Sequence, residues 1–147
     1  MDTGKTKPMQ RDARDLFHRL LAASPGARNL NIRLLDPDAG EPAIGLEVSA
    51  AMANSDGICH GGYIFALGDT AAAYACLTRH PRAATQSAHT TFVAPARIGD
   101  VLRAEAVEAV QAKRNAVYDV RITNSEGQVV ALVRAQFRLF DAAKIRS

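Results

Sequence analysis

The stretch NSDGICHGGYIFALGDTAAAYACL, from Asn54 to Leu77, decides how the rest of the chain must be arranged. After its two adjacent glycines the residues are apolar or small on every side of a helix, and they carry one formal charge beyond the first turn, at Asp69. A helix that is apolar all round has to be covered by other elements. The stretch therefore predicts a long central helix, from about His60 to Arg79, with a carboxylate inside it that requires a reason.

The residues before this helix predict a second helix and a hairpin. Residues 1–11 are expected to form a tail. Apolar residues then recur at helical spacing over residues 11–24, RDARDLFHRLLAAS, and Pro25 with Gly26 is expected to end that helix. Two strands follow, over 30–35 and 43–48, joined by the turn DPDAGEP.

The residues after Pro81 have the alternation that is typical of strands. Four are predicted, over 84–93, 101–111, 116–123 and 128–140. In the last of them one face is predicted to hold Val129, Ala131, Val133, Ala135 and Phe137. The order of elements favours an α+β fold, an antiparallel sheet wrapped around the long central helix with an N-terminal helix beside it. The predicted organisation is a single domain over 12–140, followed by a C-terminal tail over 141–147.

Composition excludes several classes of function. The chain has 147 residues, 48% hydrophobic and 22% charged, which predicts one soluble globular domain. Aromatic residues make up 5%, tryptophan is absent and no dense run of Lys and Arg occurs, so nucleic acid is not an expected partner. The polar start MDTGKTKPMQ indicates no signal peptide, and Cys59 and Cys76 are expected to be reduced thiols in the cytoplasm. Three glycines and a central Asp69 argue against a membrane span.

His60, Gly61 and Gly62 open the central helix, where the first backbone N–H groups have no intrahelical acceptor. Glycine lets another group approach those donors closely, so a polarised carbonyl or a developing oxyanion could bind there. The same three residues would also suit a tight entry from a loop into a helix. Asp69 has no Lys or Arg three or four residues away, so it either pairs with a residue distant in sequence or has a chemical role.

Gly61 and Asp69 are eight residues apart, which is about 12 Å along a helix. One helix cannot bring both groups to the same carbonyl. Two antiparallel copies can, with the Gly61 N–H of one chain facing Asp69 of the other. A functional site built from these residues is therefore expected at a homodimer interface.

The stretch resembles the active-site segment of hotdog-fold acyl-CoA thioesterases, in the phenylacetate-degradation (PaaI-type) branch. The residues that carry the resemblance are Asn54, His60, Gly61, Gly62, Leu67, Asp69, Thr70, Ala73, Ala75 and Cys76. Downstream, FVAPARIGD resembles the family's strand, proline and Gly-Asp turn, and VYDVRITNSEGQVVALVRAQFR resembles its last hairpin. The similarity extends from about residue 12 to residue 140. It implies a hotdog fold, a cytoplasmic homotetramer and hydrolysis of small acyl-CoA thioesters, with aryl-acetyl groups expected.

The resemblance implies a role for five residues. Asp69 acts as general base on water or as nucleophile at the thioester carbon, and the Gly61 N–H of the opposing subunit donates to the thioester carbonyl. Asn54 helps to hold the carbonyl or the water, and Ser87 matches a Ser or Thr that orients the water. His60 shapes the turn and supports the loop, and it is also the rival for the base.

Further residues are candidates for substrate binding. Gly62 and Thr70 belong to the motif, and Tyr63, with Phe65 and Tyr74, either lines an acyl pocket or belongs to the core. Three basic residues near predicted strand turns either contact the phosphates of coenzyme A or are simply solvated; they are Arg97, Lys113 and Arg114.

No metal site is expected, because Cys59, His60, His80 and His89 lack the spacing of a chelate. No cofactor is expected either, since coenzyme A is part of the substrate. Two other functions stay open: a non-catalytic acyl-CoA-binding or regulatory hotdog protein, and a hotdog dehydratase or hydratase.

Overall fold

The computed structural model describes residues 8–35 and 42–141, and within the first helix it describes side chains from Ala13 onward. These residues contain three α-helices, α1 (Pro8–Ala23), α2 (Pro25–Asn29) and α3 (Gly61–Arg79). The strands are β1 (Arg33–Leu35), β2 (Ala43–Glu47), β3 (Ala83–Phe92), β4 (Val101–Ala112), β5 (Asn115–Thr123) and β6 (Val129–Leu139). A single 3-10 turn, Ala50–Met52, precedes the loop that leads into α3.

The six strands form one antiparallel sheet in the order β1-β2-β4-β5-β6-β3. Strand β3 therefore lies at one edge, and among the described residues only its β6 side is paired. Ten residues is long for an edge strand, since native proteins keep such edges short or cover them. This leaves a long row of backbone donors and acceptors open beside α3.

Helix α3 lies across one face of this sheet, and its position is fixed by two glycines. A Cβ atom on Gly68 would be 2.5 Å from Cγ2 of Val133 in β6, so only glycine allows the helix to come this close. A Cβ on Gly61 would be 2.9 Å from the ring of Phe92 at the end of β3. The N-terminus of α3 is therefore placed over the open edge of the sheet.

One flank of α3 is covered by α1. The rings of Phe17 and Tyr74 meet edge to face, with their centroids 5.5 Å apart, and Leu67 and Ala71 on the same flank are fully buried. Because α1 also contacts β1, at the far edge of the sheet, the uncovered flank of α3 faces β3.

The predicted hotdog architecture is confirmed, with an antiparallel sheet around a central helix and a helix on its N-terminal side. The central helix begins one residue after His60 and ends at Arg79, as expected. The predicted turn over 36–42 lies outside the described residues except for its last position, and so do residues 1–7 and 142–147 of the two predicted tails.

Two local expectations were wrong, and a third was confirmed but incomplete. Residues 8–11 belong to α1 rather than to the tail, since Pro8 is suited to the first turn of a helix. Pro25 ends α1 but also begins the short helix α2, which Ser24 caps by accepting the N–H of Ala27. At the start of β6, Val130 is fully buried and Val129 only half-buried, because the pairing of β5 with β6 shifts register there.

Candidate active site

The N-terminus of α3 is organised by His60, which caps the helix. Its Nδ1 accepts a hydrogen bond from the N–H of Gly62 at 2.9 Å, and its own N–H donates to the carbonyl of Met52. This bond occupies Nδ1, so the geometry favours the loop-supporting role of His60 over a role as base. Gly61 is the first helical residue, and its N–H has no acceptor within the helix.

A side chain at position 61 would displace a neighbouring aromatic ring. The Phe92 ring lies where a side chain at this position would begin, and the ring is itself 55% exposed. An aromatic surface therefore adjoins the N–H that is the candidate donor to a carbonyl. Tyr63 is half-buried nearby and meets the His60 ring edge to face, with centroids 6.3 Å apart.

Asp69 is half-buried two turns further along α3. Burial raises the pKa of its carboxyl group above the ordinary value for aspartate, because desolvation disfavours the charged form. Among the residues that the structure describes, no Lys or Arg forms an ion pair with it. The carboxylate is thus partly desolvated and has no counter-charge, which suits a base and is costly in a purely structural group.

The surroundings of Asp69 form a stripe along α3, which we call the open flank. It consists of Gly62, Phe65, Ala66, Asp69 and Ala73, which recur at helical spacing. Each member is exposed or half-buried, whereas the opposite flank is buried under α1. The open flank and the unpaired edge of β3 lie on the same side of the chain.

Two of the predicted site residues already use their side chains locally. The Oδ1 of Asn54 accepts the backbone N–H groups of Asp56, at 2.9 Å, and of Ile58, at 3.2 Å. This fixes the loop before α3 and leaves the amide NH2 as the group that Asn54 can offer to a ligand. The hydroxyl of Thr70 donates to the carbonyl of Ala66 at 2.7 Å, so Thr70 satisfies its own helix.

Ser87 is placed on the open edge strand, away from the helix N-terminus. It is exposed and lies where the pairing of β3 with β6 shifts register, between Thr85 and Ser87. A bulge of this kind changes the direction of side chains and is common beside active sites.

The basic candidates fall into two groups that one chain keeps apart. Arg97 lies in the turn before β4 and forms a backbone bridge with Ile58, in the loop that leads into α3. Lys113 and Arg114 form the turn after β4, at the other end of a 12-residue strand that spans about 40 Å. Arg114 also lies 3.8 Å from the carboxylate of Asp141. Only Arg97 therefore adjoins the helix N-terminus within the same chain.

No group of His, Cys, Asp and Glu side chains suited to a metal ion is found within residues 8–35 and 42–141. In the same part of the chain, none of the helices is long and apolar enough to cross a membrane.

The structure also shows a polar cluster that the sequence did not predict. Oε2 of Glu108 accepts the hydroxyl of Tyr118 at 2.5 Å and lies 3.0 Å from Nε2 of His80. His80 caps the C-terminus of α3, and its N–H donates to the carbonyl of Cys76. The cluster ties the end of α3 to the sheet. Alternation along β4 could have indicated that Glu108 has a buried partner, since this residue interrupts an otherwise small or apolar inner face.

Comparison with known proteins gives consistent results. The thioesterase superfamily model matches residues 56–131. The acyl-coenzyme A thioesterase PaaI of Escherichia coli K12 is 35% identical over 119 residues, which cover 81% of this chain and 85% of that protein. The structure of E. coli PaaI, from the phenylacetic acid degradation operon, superimposes with a TM-score of 0.82 at 32% identity, covering 90% of this chain and 96% of that one. A point mutant of the phenylacetic acid degradation protein PaaI from Thermus thermophilus gives a TM-score of 0.72 at 31% identity, over 80% of this chain and 100% of that one.

Proposed function

The chain belongs to the thioesterase superfamily, as a thioester hydrolase of the PaaI type, and we propose that its substrates are small aryl-acetyl thioesters of coenzyme A. The products are then a free acid, such as phenylacetate or hydroxyphenylacetate, and coenzyme A. The similarity to PaaI proteins, two of them named for phenylacetic acid degradation, supports the aryl-acetyl class. A location in the cytoplasm is part of the same proposal.

The observation that carries the mechanism is the half-buried carboxylate of Asp69 on an uncovered helix flank, beside an unpaired strand edge. Both features are completed by a second copy of the chain. Antiparallel pairing of α3 with its copy brings the Gly61 N–H of one subunit opposite Asp69 of the other, since about 12 Å of helix separates the two groups. The active form is therefore a homodimer with two shared sites, and a homotetramer is a dimer of such dimers.

In this site the Gly61 N–H donates a hydrogen bond to the thioester carbonyl oxygen. The opposing Asp69 either removes a proton from water, which attacks the carbonyl carbon, or attacks that carbon itself. The oxyanion that forms is stabilised by the Gly61 N–H. The C–S bond then breaks and coenzyme A leaves as a thiolate, which is a good leaving group and needs no strong acid. In the general-base route, the proton that Asp69 removed from water passes to this thiolate, and the carboxylate is restored. In the nucleophilic route, water hydrolyses the resulting anhydride and restores the carboxylate.

The supporting residues have distinct tasks. His60 and Asn54 hold the loop so that the Gly61 N–H keeps its direction. The amide NH2 of Asn54 is the group that helps to hold the carbonyl or the water. Ser87, on the open edge strand, orients the attacking water across the interface. Arg97 contacts the phosphates of coenzyme A from the helix N-terminus, whereas Lys113 and Arg114 reach a phosphate only from another subunit.

The test is thiol release from phenylacetyl-, hydroxyphenylacetyl-, benzoyl- and hexanoyl-CoA, measured with a thiol-reactive dye for the parent and for Asp69→Asn. We expect the variant to lose about two or more decades of kcat, roughly 3 kcal/mol of barrier. The exposed Glu126→Gln variant in the β5–β6 turn is the matched control and should behave as the parent.

The pH profile tests the same residue independently. The base must be ionised, and burial raises the pKa of Asp69, so kcat/KM should fall with decreasing pH at a value above the ordinary aspartate pKa of about 3.9. An Asp69→Asn protein that keeps the parental rate would refute the mechanism. Binding of CoA esters without any thiol release would indicate the non-catalytic function instead, and hydration of an unsaturated acyl-CoA would indicate a hydratase.

A further inference from the structure

Phe65 is the large side chain of the open flank, and it is 39% exposed in a helix whose other large apolar side chains are mostly buried. It lies one turn before Asp69 and one turn after Gly61, on the side of α3 that faces the open edge of β3. Leaving so much of an aromatic ring in water has a cost, and no described element covers it. Its neighbours in the stripe, Gly62 and Ala66, are small enough to let another helix approach.

The position of Phe65 follows from symmetry, and this step rests on the proposed shared site. In a two-fold pair of antiparallel helices, Gly61 opposes Asp69 of the copy, and Asp69 opposes Gly61 of the copy. The residue midway between them must then oppose itself. That residue is Phe65, four positions from each.

We propose that Phe65 packs against its own copy on the two-fold axis of the dimer, and that this aromatic pair forms the wall between the two active sites and selects the acyl group. Each carbonyl site lies about 6 Å along the helix from the axis, the length of four residues. An acyl group that extends from the carbonyl toward the axis therefore ends against a Phe65 ring.

The orientation of the substrate follows from the charges at the other end. The phosphates of coenzyme A are anionic, and Arg97 adjoins the loop before α3, on the side of Gly61 that is remote from the axis. With the phosphates held there, the acyl group on the far side of the carbonyl points toward Phe65. The Phe92 ring, which contacts Gly61, continues the aromatic surface to the carbonyl. Two aromatic surfaces favour a flat aryl group over a flexible chain of similar size.

A cross-linking experiment tests the position of Phe65. The full chain with Phe65→Cys is treated with a short bis-maleimide and examined on a denaturing gel. The matched control is Phe140→Cys, which replaces a ring of almost the same exposure, 42%, beyond the end of β6. The parent is the background control, because its two cysteines, Cys59 and Cys76, are buried. We expect covalent dimers from Phe65→Cys alone, whereas dimers from Phe140→Cys alone would place the axis elsewhere and overturn the proposal.

A specificity experiment tests whether Phe65 selects the acyl group. Phe65→Leu keeps the volume apolar but removes the ring, and it should lower the ratio of kcat/KM for phenylacetyl-CoA to that for hexanoyl-CoA about three- to tenfold. An unchanged ratio would refute the selecting role even in a protein that cross-links at position 65. These outcomes are distinct from failure of the proposed function, which is a parental rate in Asp69→Asn or no thiol release from the parent.

Discussion

The contact between Gly68 and the sheet leads to a quantitative prediction for Gly68→Ala. The added methyl group would lie 2.5 Å from Cγ2 and 3.2 Å from Cβ of Val133, and 3.3 Å from Cδ1 of Ile122. Carbon atoms pack best at about 3.5–4.0 Å, so the helix or Val133 has to move by about 1 Å. Val133 is buried, and its β-branched side chain is restricted at χ1. Overpacking of this size costs about 1–3 kcal/mol.

Helix propensity acts in the opposite direction, since alanine is better than glycine in a helix by about 1 kcal/mol. The net effect is a loss of about 1 kcal/mol in the free energy of unfolding, or a decrease of roughly 3–5 °C in Tm for a chain of this size. Urea unfolding followed by circular dichroism measures it. The double variant Gly68→Ala/Val133→Ala should lose less free energy of unfolding than the two single variants lose together, because the second change makes room for the first. A Gly68→Ala protein as stable as the parent, or more so, would show that α3 does not pack this closely.

Two further substitutions test the site and the fold, one through activity and one through stability. In Gly61→Ala the exposed Phe92 ring can swing away, so Tm should stay within a few degrees of the parent. The methyl group and the displaced ring crowd the carbonyl donor, so kcat should fall about tenfold or more. An unchanged rate would contradict the role of Gly61. Hydrogen bonds from Tyr118 and His80 lower the pKa of Glu108. The ionised group therefore stabilises the fold at pH values above its pKa in the unfolded state, about 4.3. That stabilisation is lost as the pH falls through the folded-state pKa. Glu108→Gln should therefore unfold at lower urea than the parent at pH 7, and the difference should shrink below about pH 4; a difference independent of pH would exclude this linkage.

The sequence predicts the elements well because each has a strong local signal. The central helix is set by a run of mostly small and apolar residues from Gly61 to Leu77, in which Asp69 is the one charge, and each later strand is bounded by glycine or polar turn residues. The errors occur where a local signal is ambiguous. Pro25 is equally suited to follow one helix and to begin another, and the buried Val130 follows from a register shift that alternation alone does not reveal.

The candidate site likewise contains residues that the sequence reveals and contacts that it does not. Asp69 and the glycines are conspicuous in sequence, because a carboxylate or a glycine pair in an apolar helix needs a reason. The contact of Phe92 with Gly61 joins residues 31 positions apart, and the cluster of Glu108 with Tyr118 and His80 joins β4 to β5 and α3. Such contacts depend on strand register and on where α3 crosses the sheet, and neither is encoded in the spacing of the residues themselves.

The open flank of α3 and the open edge of β3 are both surfaces that a single chain leaves uncovered. A monomer would leave Phe65 and ten residues of strand edge in water, and would hold a half-buried Asp69 with no group to act on. In the proposed dimer, pairing of two copies covers the ring, the edge and the carboxylate at once, and it also brings Asp69 to a Gly61 N–H. If that proposal holds, stability and catalysis depend on the same interface. A change that weakens the dimer should then lower the specific activity most at low protein concentration, whereas a change in Asp69 should lower it at every concentration.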